Sequence, residues 1–164
     1  MTRKFNIKEI FEIAIRIEQN GAYYYQRCAQ TLDDSDVKDL LTLLAEMEVK
    51  HEHIFMELLN QSERDVHLAE NFDPDDEAVK YVQALADGHV FDLSTDPASQ
   101  LTGNETIENI LKTALSREKE SIVYYLGLKD FVPGELGKDK VDSIIREEMT
   151  HIVFISNALR QLNR

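Results

Sequence analysis

The chain has 164 residues, 43% of them hydrophobic, which suits one domain with a real core and makes disorder not the default reading. Eighteen basic against 31 acidic residues give a formal charge of -13, which argues against nucleic acid as a partner, because a phosphate backbone needs a basic face. No run approaches the roughly 20 apolar residues that cross a bilayer, no apolar leader follows Met1, and the lone Cys28 excludes an intrachain disulfide framework or a cysteine-rich metal module.

The expectation is therefore a single domain, residues 1–164, in the cytoplasm and away from membranes. The first helix is expected to open at Asn6, with Glu9 three residues on completing a capping box. It should run to about Ala29. The cluster Asp33-Asp34-Ser35-Asp36 supplies a turn and a cap for a second helix, from about Asp36 to Gln61. A third is expected from near Gly103-Asn104 to about Phe131. Pro133-Gly134 and Gly137 then break the chain, and a fourth helix should run from about Lys138 to Leu162.

Two of the connections are short and make antiparallel helical hairpins. The other, from Ser62 to Thr102, is long; it contains Pro74 and Pro97 and a short helix around Asp76 to Leu85. The fold class is thus all-α: two hairpins joined by a long crossover into a four-helix bundle.

The chain also repeats itself at an offset of 100 residues. Ala14 meets Ala114, Glu18 meets Glu118, Tyr24-Tyr25 meets Tyr124-Tyr125, Glu48 meets Glu148 and His51 meets His151. Few other positions match, so the repeat is carried by chemically unusual residues.

Those residues lie on the core stripes. Alternating steps of three and four give Phe11, Ala14, Glu18, Gly21, Tyr25 and Cys28 on the first helix. The second gives Leu41, Leu44, Glu48, His51, Phe55 and Leu58. The third and fourth give Leu111, Ala114, Glu118, Ser121, Tyr125, and Ile144, Glu148, His151, Ile155. Every stripe is apolar at both ends and polar in the middle. Four carboxylates inside a low-dielectric bundle cost several kcal/mol each unless compensated, and the neighbouring Arg117 and Arg146 point off the stripes. Two divalent cations would balance them. Glu-x-x-His sets both side chains on one helical face, and a Glu from each of two helices plus Glu-x-x-His from each of the others is the ligand pattern of di-iron and di-manganese bundles. Glu18, Glu48, His51, Glu118, Glu148 and His151 are the candidate ligands, with oxygen and imidazole donors that suit two iron ions or manganese.

The phrases Glu118-Lys119-Glu120-Ser121-Ile122 with Tyr124-Tyr125, Glu147-Glu148-Met149-Thr150-His151 and Glu48-Val49-Lys50-His51 resemble the rubrerythrin-like branch of the ferritin-like superfamily. The resemblance implies a non-haem di-iron site, a homodimer, and an oxidoreductase acting on dioxygen or hydrogen peroxide. It departs from the family at two points. Rubrerythrins carry a four-cysteine rubredoxin-like domain, whereas this chain has only Cys28, so an electron donor would be a separate protein. They also carry an extra ligand Glu three residues after the third-helix ligand, where this chain has Ser121. The alternatives are iron storage or delivery without redox turnover, and a di-manganese, catalase-like protein.

Tyr25 and Tyr125, two turns beyond Glu18 and Glu118, are candidate hydrogen-bond partners of the ligand carboxylates. Tyr23, Tyr24 and Tyr124 read as packing or interface residues, and His53, Glu46, Glu52, Glu120 and Glu147 as solvated positions off the stripes. Cys28 reads as a small buried hydrophobe. The segment Tyr81 to Phe91 is apolar enough to cover an edge of the bundle or a partner subunit.

Overall fold

In a computed structural model, residues 7–64, 77–86 and 97–164 are described. Five α-helices make up most of this: α1 (Ile7–Thr31), α2 (Ser35–Arg64), α3 (Glu77–Ala86), α4 (Ile107–Phe131) and α5 (Lys138–Leu162). Short 3-10 turns at Pro97–Gln100 and Gly134–Leu136 precede α4 and α5. None of the described helices is long and apolar enough to cross a membrane.

Local chemistry sets the helix ends. The Asp34 carboxylate accepts from the Val37 N–H at 3.0 Å, so α2 starts at Ser35 under an aspartate cap. The start of α4 lies later than Gly103-Asn104. Glu105 turns its carboxylate back onto the N–H groups of Thr102 and Gly103, and Thr106 caps the helix by accepting from Asn109 N–H at 3.1 Å. The expected Asn6 cap lies outside the described residues. Between α4 and α5, Gly137 adopts φ 115°, and a Cβ there would sit 2.5 Å from Leu58 Cδ2. Only glycine meets both demands.

Helices α1 and α2 pair as one hairpin and α4 and α5 as the other. The core is two apolar clusters, one at each end. One gathers Phe11 of α1, Phe55 and Leu58 of α2, Leu128 of α4 and Ile144 of α5. The other gathers Cys28, Leu41, Leu44, Leu111 and Ile155. Each large apolar side chain so buried contributes about 1.5–3 kcal/mol, and these layers hold the bundle around a polar middle. Because α2 ends in the first cluster and α4 begins in the second, the crossover must travel the length of the bundle.

The short crossover helix is where the sequence places it. Tyr81 of α3 lies against Gly127 of α4, where a Cβ would overlap its ring, and its hydroxyl donates to Val123 O at 3.0 Å. Tyr81 therefore covers an edge of its own chain, while the remainder of the apolar segment to Phe91 lies outside the described residues.

Candidate metal centre

Between the two apolar clusters the middle turns of α1, α2, α4 and α5 bring Glu18, Glu48, His51, Glu118, Glu148 and His151 together. All six are buried, none more than 4% exposed. Their donor atoms form two sets, each within 4.8 Å: Glu18, Glu48, His51 and Glu148, and then Glu48, Glu118, Glu148 and His151. Glu48 and Glu148 belong to both sets. The remaining four split evenly, one carboxylate and one imidazole to each side. The two imidazoles stack, with ring centres 5.7 Å apart and planes 19° from parallel.

Each histidine turns Nδ1 inward. His51 Nδ1 lies 3.1 Å from Glu148 Oε1 and 3.5 Å from Glu18 Oε2. His151 Nδ1 lies 3.1 Å from Glu148 Oε2 and 3.3 Å from both Glu48 Oε1 and Glu118 Oε2. Most of these approaches are close without hydrogen-bond alignment. Glu18 Oε2, Glu48 Oε1, both oxygens of Glu148 and His51 Nδ1 are buried with no hydrogen-bond partner. Buried polar atoms are almost always paired, so five converging orphans mark a place built for something other than a proton donor.

The electrostatics agree. Burial, then the charge of Glu148, pushes the Glu18 carboxyl up; burial and Glu18 push Glu48 well up; burial and Glu48 push Glu148 up to about 8. Burial also disfavours the ion at Glu118, but contacts with Glu148 and His151 outweigh it and hold that carboxyl down. Burial opposes charge on the imidazoles too, yet the carboxylates around them raise His51 to about 11 and His151 to about 12. A cluster without cations must therefore retain protons. No lysine or arginine among the described residues pairs with the four carboxylates: Arg146 pairs with Asp142 at 2.9 Å, and Arg117 lies over the Tyr24 ring at 5.3 Å. Oxygen and imidazole donors in two sets that share carboxylates fit a pair of cations.

The surrounding groups follow the internal repeat and cross the bundle. The Tyr25 hydroxyl of α1 donates to Glu118 of α4, and the Tyr125 hydroxyl of α4 donates to Glu18 of α1. Burial raises both phenols well above their usual range, with Glu118 and Glu18 the next causes, so they stay protonated as donors. Tyr24 and Tyr124 are buried and donate to Ile110 O and Ile10 O, which makes them packing residues, while Tyr23 is exposed. His53 and Glu46 are exposed as expected, and Cys28 is a buried free thiol.

Glu147 is the residue the stripe pattern missed. It is only half-exposed, and its Oε2 lies 3.1 Å from His51 Nε2. One helical step before Glu148 turns a side chain about 100° off the stripe, which on α5 aims it at the flank of α2. The repeat carried no cue, because its counterpart is Met47. Gly21 lies on the stripe as expected, with a role the stripe did not reveal: a Cβ there would lie 2.6 Å from Glu48 Oε2. Ser121, its counterpart, spends its hydroxyl on Arg117 O at 3.1 Å.

Fold and site together define a four-helix bundle with a buried carboxylate–histidine cluster. Residues 9–95, just over half of the chain, match the family described as Rubrerythrin, and the chain belongs to that family. The matched span holds Glu18, Glu48 and His51; the other half of the cluster enters through the internal repeat. The fold is shared with the crystal structure of a Thermotoga maritima protein described as ferritin-like and diiron-carboxylate, at 22% identity and a TM-score of 0.70 over 98% of each chain. A search of curated proteins finds no match.

Proposed function

We propose that the cluster binds two iron ions and that the protein is an oxidoreductase acting on dioxygen or hydrogen peroxide. One observation supports this reading above the others: two four-donor sets share Glu48 and Glu148 in a layer where, among the described residues, no lysine or arginine pairs with the carboxylates. In this reading Glu48 and Glu148 would serve both ions, Glu18 and His51 would complete the donor set of one, and Glu118 and His151 that of the other. When bound, the two irons would supply the electrons for reducing dioxygen or peroxide. The chain's own part is to hold the ligands, exclude bulk water, and keep Tyr25 and Tyr125 as hydroxyl donors to the terminal carboxylates.

The test is metal content on protein purified without oxygen, followed by peroxide and dioxygen consumption by the reduced form. About two irons per chain, with turnover well above free iron, is the expected result. Glu48→Ala and Glu148→Ala should each cost metal on both sides, and unchanged iron in either would sink the assignment. Ser121 favours a second reading. With no carboxylate at that position, the ligand set has six members, and holding iron or manganese without rubrerythrin-type peroxidase turnover is the alternative. Two bound metals with no peroxide or dioxygen consumption would select it.

A further inference from the structure

The internal repeat makes the two sides of the cluster nearly equivalent, and at the outer nitrogens of the imidazoles one pair of residues breaks the equivalence. On one side, His51 Nε2 meets the Glu147 carboxylate at 3.1 Å. On the other, His151 Nε2 is buried with no hydrogen-bond partner. The residue one step before the ligand glutamate is Glu147 on α5 and Met47 on α2, so the side chain that should mirror Glu147 has no acceptor oxygen.

An imidazole that offers Nδ1 to a cation keeps its proton on Nε2. A carboxylate accepting that proton fixes the ring's orientation and makes Nδ1 a stronger donor; disrupting such a partner commonly changes metal affinity 10–100-fold. A buried N–H with no acceptor lacks that support: nothing orients the ring through Nε2 or draws its proton away from it. Glu147 is itself half-exposed, so its charge is carried at the edge of the bundle rather than added to the buried layer.

Resting on the reading of the cluster as a two-metal centre, we propose that Glu147 and Met47 make the centre unequal. The side capped by His51 binds its cation first and firmly, and the side capped by His151 binds the second weakly and exchanges it. Glu147 is a positioning residue that acts through His51, and Met47 leaves His151 without that support.

Titrating metal-free protein with cobalt(II), followed by visible absorption and calorimetry, tests this. Two cations that share carboxylates repel each other, so two steps would appear in any such site, and the variants decide. Glu147→Met should weaken the tight step by about 10–100-fold and leave the weak one nearly unchanged, with Glu147→Gln intermediate. Met47→Glu should strengthen the weak step by a comparable factor; if that variant does not fold, the Glu147 pair still decides. Equal shifts of both steps, or no shift, in Glu147→Met would overturn the inequality while leaving the two-metal reading intact. Failure of the unaltered protein to take up two cobalt ions would remove that reading and this inference with it.

Discussion

Gly21 shows how closely the cluster constrains single residues. It sits on α1 three residues after Glu18, where a Cβ would approach Glu48 Oε2 to 2.6 Å. The free end of a glutamate can swing aside at little cost, but a carboxylate serving both cations, as proposed for Glu48, cannot do so and keep its place. Alanine also favours a helix over glycine by roughly 0.5–1 kcal/mol. Gly21→Ala should therefore leave the melting temperature of the metal-free protein unchanged or slightly raised, while metal affinity falls at least about tenfold. Thermal melts and metal titration on the same preparation separate the two effects, and unchanged affinity would refute the role given to the glycine. The tyrosines make a paired case. Tyr25→Phe strips a donor from Glu118 and Tyr125→Phe strips one from Glu18. Each should lower stability by about 1 kcal/mol and metal affinity by about tenfold. Because the bonds cross the bundle, the affinity loss should fall on the carboxylate of the opposite hairpin, which a titration of the double variant with Glu118→Ala or Glu18→Ala would show.

At the scale of elements, the core stripes of the four long helices were legible because burial imposes a 3.6-residue rhythm on any bundle helix. A charged residue on such a stripe stands out as Glu18 does between Ala14 and Tyr25. Helix ends were less legible. α4 begins at Ile107 because Glu105 and Thr106 turn back onto nearby backbone, and the glycine at 103 masks that competition. Glu147 escaped because contacts between helices depend on rotation about the axis, which a stripe written for one helix does not record. The seat of α3 was equally hidden, since nothing in the pattern of α4 shows that the Tyr81 ring fills the place of a side chain at Gly127. Gly127→Ala should displace α3 and leave the bundle intact. Limited proteolysis should then cut within or beside residues 77–86 sooner than in the unaltered protein, with metal uptake unchanged. A variant as resistant as its parent would show that Tyr81 does not anchor the helix.

For the whole molecule, the buried cluster ties stability to pH and to metal. In the metal-free chain Glu18, Glu48 and Glu148 have carboxyl groups raised from 4.5, Glu148 to about 8. His51 and His151 are raised from 6.5 to about 11 and about 12. A group raised on folding binds its proton more tightly in the folded chain, so its contribution is full below the unfolded value and is lost as pH climbs through the folded one. The Glu148 contribution fades between about 4.5 and about 8, those of Glu18 and Glu48 fade from 4.5 upward, and those of the imidazoles from 6.5 upward. Glu118, held down, works in the other direction and only at acid pH. The metal-free protein should therefore lose melting temperature as pH rises from about 5 to 9, at about 2–4 °C per kcal/mol for a chain of this size. Cations replace those protons, and their binding strengthens as protons compete less. The loaded protein should hold or gain stability over the same range, so the two melting curves diverge toward high pH and meet toward acid. Melts at matched pH with and without metal measure the gap directly. A metal-free curve that stays flat or rises from pH 5 to 9 would mean the carboxylates are held by something other than shared protons. A gap that fails to widen would mean metal does not take their place.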